Sequence, residues 1–177
     1  MSVKQHREEA PKKVNCKVIT VSDTRSKETD KSGRLIIKML ENALHSIQDY
    51  QIVTDDYGAI YEAIKAGCLD KGIDVVLLNG GTGIAKRDVT IEVVQSLVEK
   101  QLIGFGEIFR MLSYLEDIGS AAILSRSIAG ISHDTAIFSM PGSSGAVKLA
   151  MEKIIIPEIS HVVREIRKDL RQKTTAE

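Results

Sequence analysis

The chain has 177 residues, which is the size of one ordinary domain and too short for two domains with separate cores. Its 24 Lys and Arg residues balance its 24 Asp and Glu residues, so it lacks the basic footprint of a general nucleic-acid binder. Aromatic residues make up only 4% of the chain, which disfavours a base-stacking platform. We therefore expect a globular protein with an aliphatic core and no nucleic-acid partner.

Two cysteines and the hydropathy pattern predict a cytoplasmic location. Cys16 and Cys68 stand among apolar residues without a CxxC or His-spaced partner, as is typical of buried thiols in a reducing compartment. No apolar run has the length of a membrane span, and residues 1–13 are polar and charged, unlike a secretion signal. We expect no membrane partner.

The domain boundaries follow from where the apolar residues begin and end. Residues 1–13 and 171–177 contain little to bury, so we predict flexible tails there. Residues 14–170 are then one α/β domain.

Strands and helices alternate in the first half of the domain. Residues 14–21 are β-branched and predict a strand, followed by a polar loop and a helix that Asp30 or Ser32 can cap. The core face of that helix is predicted to carry aliphatic residues at helical spacing: Leu35, Ile36, Met39, Leu40, Ala43 and Leu44. A strand at 50–54, a helix at 58–69 and a fully apolar strand at 74–78 continue the pattern.

The second half predicts helices at 89–98 and around Phe105 to Leu112, and an ambiguous segment at 118–124. Strands at 128–131 and 135–140 are expected to pair as a hairpin, followed by a helix after 141–145 and a final helix from Pro157 to Leu170. Together these elements predict a three-layer α/β sandwich with a mostly parallel central sheet and helices on both faces.

Polar or glycine-rich loops follow four of the predicted strands. In open α/β sheets ligands bind outside the carboxyl ends of the strands, so these loops are the candidate site. They contribute Ser22 and Asp23, Asp55 and Asp56, residues 80–88, and residues 141–145. Lys86, Arg87, Arg110 and Arg126 could clamp phosphates or be ordinary surface charges.

The loop Gly80-Gly81-Thr82-Gly83 follows the most apolar strand and suits an anion, because glycines let backbone amides approach a phosphate. It is not a dinucleotide fingerprint, since Lys86 occupies the third glycine position, and it lacks the Gly-Lys-Ser/Thr of a Walker sequence. A plain strand-to-helix turn is the alternative. Ser143 and Ser144 likewise either hold an anion or only cap a helix.

Two carboxylates adjoin the glycine loop. Asp88, or Thr90, could cap the following helix, and Asp55 could cap the helix at 58–69. Alternatively, both carboxylates face the cleft and hold a divalent cation. Because two carboxylates beside a phosphate loop need a cation to balance their charge, we expect Mg²⁺. The four scattered histidines do not predict a metal centre.

The ordered motifs resemble the MoaB/MogA family of molybdenum-cofactor biosynthesis proteins, and within it the MoaB branch. The resemblance covers about residues 14–167 and departs from the family at Asn79, where many members have Thr, and at Ile91, where Pro is common. It rests on these segments: Ser22-Asp23; Asp55-Asp56-Tyr57; Asn79-Gly80-Gly81-Thr82-Gly83; Arg87-Asp88-Val89-Thr90; Gly104-Phe105-Gly106-Glu107; Leu124-Ser125-Arg126; Met140-Pro141-Gly142-Ser143.

This resemblance implies a molybdopterin-binding domain that assembles as trimers or dimers of trimers. In active members the terminal phosphate of molybdopterin attacks the α-phosphate of Mg-ATP, which gives adenylylated molybdopterin and pyrophosphate. Asp88 and Asp55 match the catalytic and metal-binding carboxylates. Residues implied to bind molybdopterin or ATP are Ser22, Asp23, Gly80, Gly81, Thr82, Gly83, Pro141, Gly142, Ser143 and Ser144.

Two other functions remain compatible with the motifs. One is a non-catalytic molybdopterin carrier that serves other molybdenum-cofactor biosynthesis proteins as partners. The other is a nucleotide-binding regulator that would bind ATP without pterin.

Overall fold

A computed structural model describes residues 10–168. Of the two predicted tails, only residues 10–13 fall within this range, and they form no helix or strand. The elements are β1 (Asn15–Val21), α1 (Lys31–Asn42), β2 (Ser46–Val53), α2 (Tyr57–Leu69), β3 (Val75–Asn79), α3 (Thr90–Leu97), β4 (Lys100–Gln101), α4 (Ile103–Glu116), a 3₁₀ helix (Gly119–Leu124), β5 (Ile128–Ser132), β6 (Thr135–Met140), α5 (Ser144–Ala150), a π-helical turn (Met151–Ile155) and α6 (Ile156–Ile166).

The strands form one sheet in the order β2-β1-β3-β6-β5-β4. β2, β1, β3 and β6 are parallel, and β5 runs antiparallel to both of its neighbours. His133 and Asp134, both with positive φ, make the tight turn between β5 and β6, which confirms the predicted hairpin. The mostly parallel sheet and the three-layer α/β class are confirmed.

Alternate side chains of the central strands enter two separate cores. On one face, Val18 and Leu77 pack with α1, α4 and the helical segment α5 to α6. On the other, Ile19 and Leu78 pack with α2 and α3. Val75 to Leu78 lack polar alternation because helices cover both faces of β3.

Three predicted elements differ from the structure. β2 begins at Ser46 rather than 50, because this edge strand alternates polar residues that conceal its start. α1 ends at Asn42, and Leu44 is 76% exposed rather than on the core face, since its positive φ turns the chain away from the helix. The ambiguous segment at 118–124 forms the 3₁₀ helix.

Helix α6 does not start independently at Pro157. It continues directly from α5 through the π-helical turn. Pro157 lacks the N–H that would bond to the carbonyl of residue 153, and the wider turn lies just before it. α6 ends at Ile166, and the predicted extension to Leu170 reaches beyond the described residues. None of the helices between residues 10 and 168 combines the length and apolar character needed to cross a bilayer.

Candidate functional site

A cleft of about 580 Å³ opens at the carboxyl ends of β1, β3 and β6. The loops after these strands form its floor, and the 3₁₀ helix contributes Ala121 and Leu124 to its wall. Three of the four predicted strand-end loops therefore meet at this cleft, and the loop with Asp55 and Asp56 does not line it. This edge carries the site because all three strands run in the same direction.

The predicted site residues divide into two groups. Most line the cleft: Ser22, Gly80, Gly81, Thr82, Gly83, Asp88, Pro141, Gly142 and Ser143. Asp23, Asp55 and Ser144 do not line it. Asp23 turns away because its Oδ1 accepts the backbone N–H of Asp55 at 2.9 Å, and Ser144 is the exposed first residue of α5 after its cap, Ser143.

The glycine loop requires its glycines. Gly80 and Gly81 have φ of +96° and +63°, which other residues rarely adopt. A Cβ at Gly80 would stand 2.3 Å from the carbonyl oxygen of Val21, and the Gly80 N–H donates to the Met140 carbonyl at 3.2 Å. The loop is thus packed tightly against the ends of β1 and β6.

The same loop offers free donors. Among residues 10–168, no acceptor takes the backbone N–H of Gly81, Thr82 or Gly83. Three successive amides without protein partners next to a cleft can bind the oxygens of an anion. This geometry favours the anion-binding interpretation of the loop.

Asp88 is not a helix cap. Helix α3 has Val89 at its N-cap position without a side-chain hydrogen bond, and the Thr90 Oγ1 atom has no partner in the described structure. The Asp88 carboxylate instead accepts the Ala85 N–H at 2.9 Å and packs on Gly83, where a Cβ would stand 2.4 Å from Oδ2. It therefore faces the glycine loop.

Asp55 is also not a cap, since Asp56 caps α2 by accepting the Ala59 N–H at 2.9 Å. Asp55 Oδ1 is buried without a partner in the described structure, just behind the glycine loop. A Cβ at Gly81 would stand 2.9 Å from this oxygen and 2.2 Å from Thr90 Oγ1.

The environment of Asp55 disfavours its negative charge. Burial raises the pKa of its carboxyl, the charges of Asp88 and Asp23 raise it further, and Arg87 and a hydrogen bond from the Val89 backbone only partly oppose them. A cation near Asp55 and Asp88 would relieve this repulsion. Within residues 10–168, no three His, Cys, Asp or Glu side chains cluster as a metal site, so a Mg²⁺ ion here would need further oxygens from a bound phosphate.

Arg126 holds the glycine loop from outside. Its Nε donates to the Thr82 carbonyl at 3.0 Å, and one guanidinium nitrogen donates to the Asp88 carbonyl at 3.1 Å. Both terminal nitrogens also bond the Glu92 carboxylate, which helps to hold the pKa of Glu92 below its usual value. Of the four cations considered as phosphate clamps, Arg126 thus supports the loop, Lys86 and Arg87 are exposed, and Arg110 lines a different cavity.

A buried polar network lies behind the cleft, and the sequence pattern did not predict it. Asp30 is fully buried and accepts hydrogen bonds from Thr20 Oγ1 at 2.5 Å and Tyr50 Oη at 2.6 Å. Its other oxygen accepts hydrogen bonds from Ser32 Oγ and from the Gly33 N–H. Burial raises the pKa of Asp30, but these hydrogen bonds outweigh burial and hold the pKa below its usual value. Only the capping role of Asp30 was visible in the sequence.

This chain is similar to proteins of molybdenum cofactor biosynthesis. Residues 17–161 match the family described as "Probable molybdopterin binding domain". Molybdenum cofactor biosynthesis protein B of Bacillus subtilis (strain 168) is 66% identical over 169 residues, 96% of this chain and 99% of that protein.

Solved structures give the same result. A crystal structure of molybdenum cofactor biosynthesis protein B is 56% identical with a TM-score of 0.88, over 90% of this chain and 99% of that chain. The tungsten cofactor synthesizing protein MoaB from Pyrococcus furiosus is 44% identical with a TM-score of 0.76, over 89% of this chain and 99% of that chain.

Proposed function

Because the chain belongs to the MoaB/MogA family of molybdenum cofactor biosynthesis proteins, we propose that it binds molybdopterin and adenylylates it with Mg-ATP. The main support for this proposal is that three loop amides without protein partners and the Asp88 carboxylate lie in the same cleft. Phosphoryl-group transfer needs such a device, since the protein must position polyanions and balance their charge.

In the proposed reaction a terminal phosphate oxygen of molybdopterin forms a bond to the α-phosphorus of ATP. The bond between that phosphorus and the bridging oxygen to the β-phosphate breaks, and pyrophosphate leaves. The amides of Gly81, Thr82 and Gly83 bind and orient phosphate oxygens, while Arg126 keeps the loop in place. Asp88 and Asp55 would hold Mg²⁺, which when bound supplies positive charge to the phosphates.

The test combines purified protein with molybdopterin, ATP and Mg²⁺ and measures pyrophosphate and adenylylated pterin. Asp88→Asn keeps the size of the side chain but removes its charge, so we expect turnover to fall about a hundredfold or more while folding and pterin binding persist. Asp134→Asn is the matched control, because this residue has a φ of +63° that Asn tolerates and lies in the hairpin turn.

Each outcome of this experiment has a clear meaning. Pterin binding without turnover in the wild type would favour the carrier function, and ATP binding without pterin binding would favour a regulator. Near-wild-type turnover in Asp88→Asn would remove Asp88 from the mechanism.

We also propose that the chain forms a homo-oligomer, a trimer or hexamer. Phe105 and Phe109 of α4 belong to the core, but the opposite face of this helix exposes Ile108 and Met111. Other large apolar residues of this region are also exposed: Ile103, Tyr114, Leu115 and Ile123. An exposed apolar surface of this kind is typical of an interface.

Sedimentation tests the oligomer directly. The wild type should sediment as a multiple of 19.4 kDa, and Leu115→Glu should shift it toward the monomer. Leu44→Glu, a similarly exposed leucine just after α1, should leave the assembly intact. A wild type that is monomeric at micromolar concentration would contradict the proposal.

The same cysteines that suggested a reducing compartment support a cytoplasmic location. Cys16 and Cys68 are both free and buried, and burial raises the pKa of their thiols to about 12 and about 11.

A further inference from the structure

Asn79 lies at the floor of the cleft with one unsatisfied atom. Its side chain is fully buried and lines the cleft, and its Oδ1 has no hydrogen-bond partner in the described structure. A buried amide oxygen without a donor is costly, because its lost hydrogen bond to water is not replaced. Such an atom in a ligand cleft points to a donor on the ligand.

The network behind Asn79 determines which way its amide faces. Both oxygens of Asp30 accept hydrogen bonds, and the single hydroxyl proton of Thr20 goes to its Oδ2 atom at 2.5 Å. Thr20 Oγ1 can then only accept from Asn79, which requires the Nδ2 atom on that side, at 2.8 Å. With the amide reversed, Thr20 would need a second proton. The Oδ1 atom of Asn79 is therefore fixed as an acceptor away from Thr20.

Gly142, another residue of the cleft lining, lies beside this oxygen. A Cβ at Gly142 would stand 3.9 Å from Asn79 Oδ1 and only 3.1 Å from the Gly80 Cα. Because Gly142 has no side chain, none projects from this position beside Oδ1.

We propose that Asn79 Oδ1 accepts a hydrogen bond from an N–H group of the heterocycle of the bound substrate. This inference rests on the proposed function, and the ring is either the pterin of molybdopterin or the adenine of ATP. A phosphate is excluded at this position, since its acceptor oxygens would face another acceptor. The cleft is thus divided between loop amides that bind anions and an acceptor that binds a ring.

Thr20 and Asp30 are positioning residues in this arrangement. They contact the amide of Asn79 directly or through one hydroxyl, and Tyr50 and Ser32 fix Asp30 in turn. Their effect on binding should therefore pass through the orientation of Asn79.

The experiment measures the affinities of molybdopterin, ATP with Mg²⁺ and pyrophosphate by anaerobic calorimetry. Asn79→Leu, of similar size but without an acceptor, should weaken molybdopterin or ATP about tenfold or more and change pyrophosphate affinity less than twofold. Which substrate is weakened identifies the ring. Thr20→Val should show the same selective loss of affinity for molybdopterin or ATP. Thr20→Ser, which keeps the hydroxyl, should bind as tightly as the wild type. A merely structural role would weaken all three ligands together.

The outcomes separate this inference from the proposed function. If the wild type binds pyrophosphate but neither molybdopterin nor ATP, the proposed function fails, and this inference fails with it. If the wild type binds the substrates and Asn79→Leu binds both within twofold, only the role of Asn79 is overturned. Equal affinities of Thr20→Val and Thr20→Ser would overturn the orienting role of the network.

Discussion

Asp30 and Asp55 follow neighbouring strands, and their surroundings are opposite. Asp30 accepts four hydrogen bonds, from Thr20, Tyr50, Ser32 and Gly33, and its pKa is lowered although it is buried. Asp55 leaves one buried oxygen without a partner beside two other negative charges, and its pKa is raised. We expect a carboxylate saturated by the protein to stabilise the fold, and one with an unpartnered oxygen near other negative charges to be the candidate for binding a cation.

Removal of the saturated carboxylate of Asp30 should have a large effect on stability. Asp30→Ala leaves the hydroxyls of Thr20, Tyr50 and Ser32 without their acceptor and removes the cap of α1. We expect the free energy of unfolding to fall by about 3–5 kcal/mol. Urea denaturation measures this, with Asp56→Ala as a control that removes only an exposed cap and should cost about 1 kcal/mol. Equal losses in the two variants would contradict the structural role of Asp30.

Arg126 holds the glycine loop and the Asp88 backbone in place. Arg126→Met should weaken pyrophosphate binding about tenfold, because the Thr82 and Asp88 carbonyls lose the donor that holds the loop. The free energy of unfolding should fall by only about 1 kcal/mol, since the ion pair with Glu92 is partly exposed. Calorimetry and denaturation give the two values.

Arg126→Lys provides the sharper control for this prediction. A lysine keeps the charge but cannot bond two carbonyls and a carboxylate at once, so it should not restore pyrophosphate affinity. Full restoration would mean that only the charge of Arg126 matters.

The sequence predicted the features of the fold and the cleft that depend on local residue patterns. The apolar run at Val75 to Leu78 and the helical spacings predicted the α/β sandwich, and the strand ends predicted most residues of the cleft. It could not predict which way side chains turn at those ends. Asp23 accepts a hydrogen bond from the backbone N–H of Asp55, 32 residues away in the chain, and Arg126 donates one to the carbonyl of Thr82, 44 residues away. Such pairings depend on tertiary geometry and leave no periodic signal.

The unsatisfied carboxylate can be tested by neutralising it. Asp55→Asn removes a charge that Asp88 and Asp23 repel, so the variant should be more stable than the wild type at neutral pH without Mg²⁺. After allowance for solvent screening we expect about 1 kcal/mol, or roughly 2–4 °C in the melting temperature. Thermal melting measures this, and added Mg²⁺ with pyrophosphate should stabilise the wild type more than the variant. A lower melting temperature for Asp55→Asn would contradict the proposed repulsion.

The stability gained in Asp55→Asn should depend on pH. Because the pKa of Asp55 is raised in the folded chain, there is a pH range in which Asp55 is protonated in the folded chain but not in the unfolded chain, where its pKa has the ordinary value of 3.8. As pH rises through this range the unfolded state binds fewer protons, so wild-type stability falls relative to Asp55→Asn until the folded pKa is passed. The advantage of the variant should therefore be constant near neutral pH and shrink to below about 0.3 kcal/mol under pH 3.5, where both states are largely protonated. Denaturation of both proteins at a series of pH values measures the difference, and an advantage that persists undiminished in acid would assign it to packing rather than to charge.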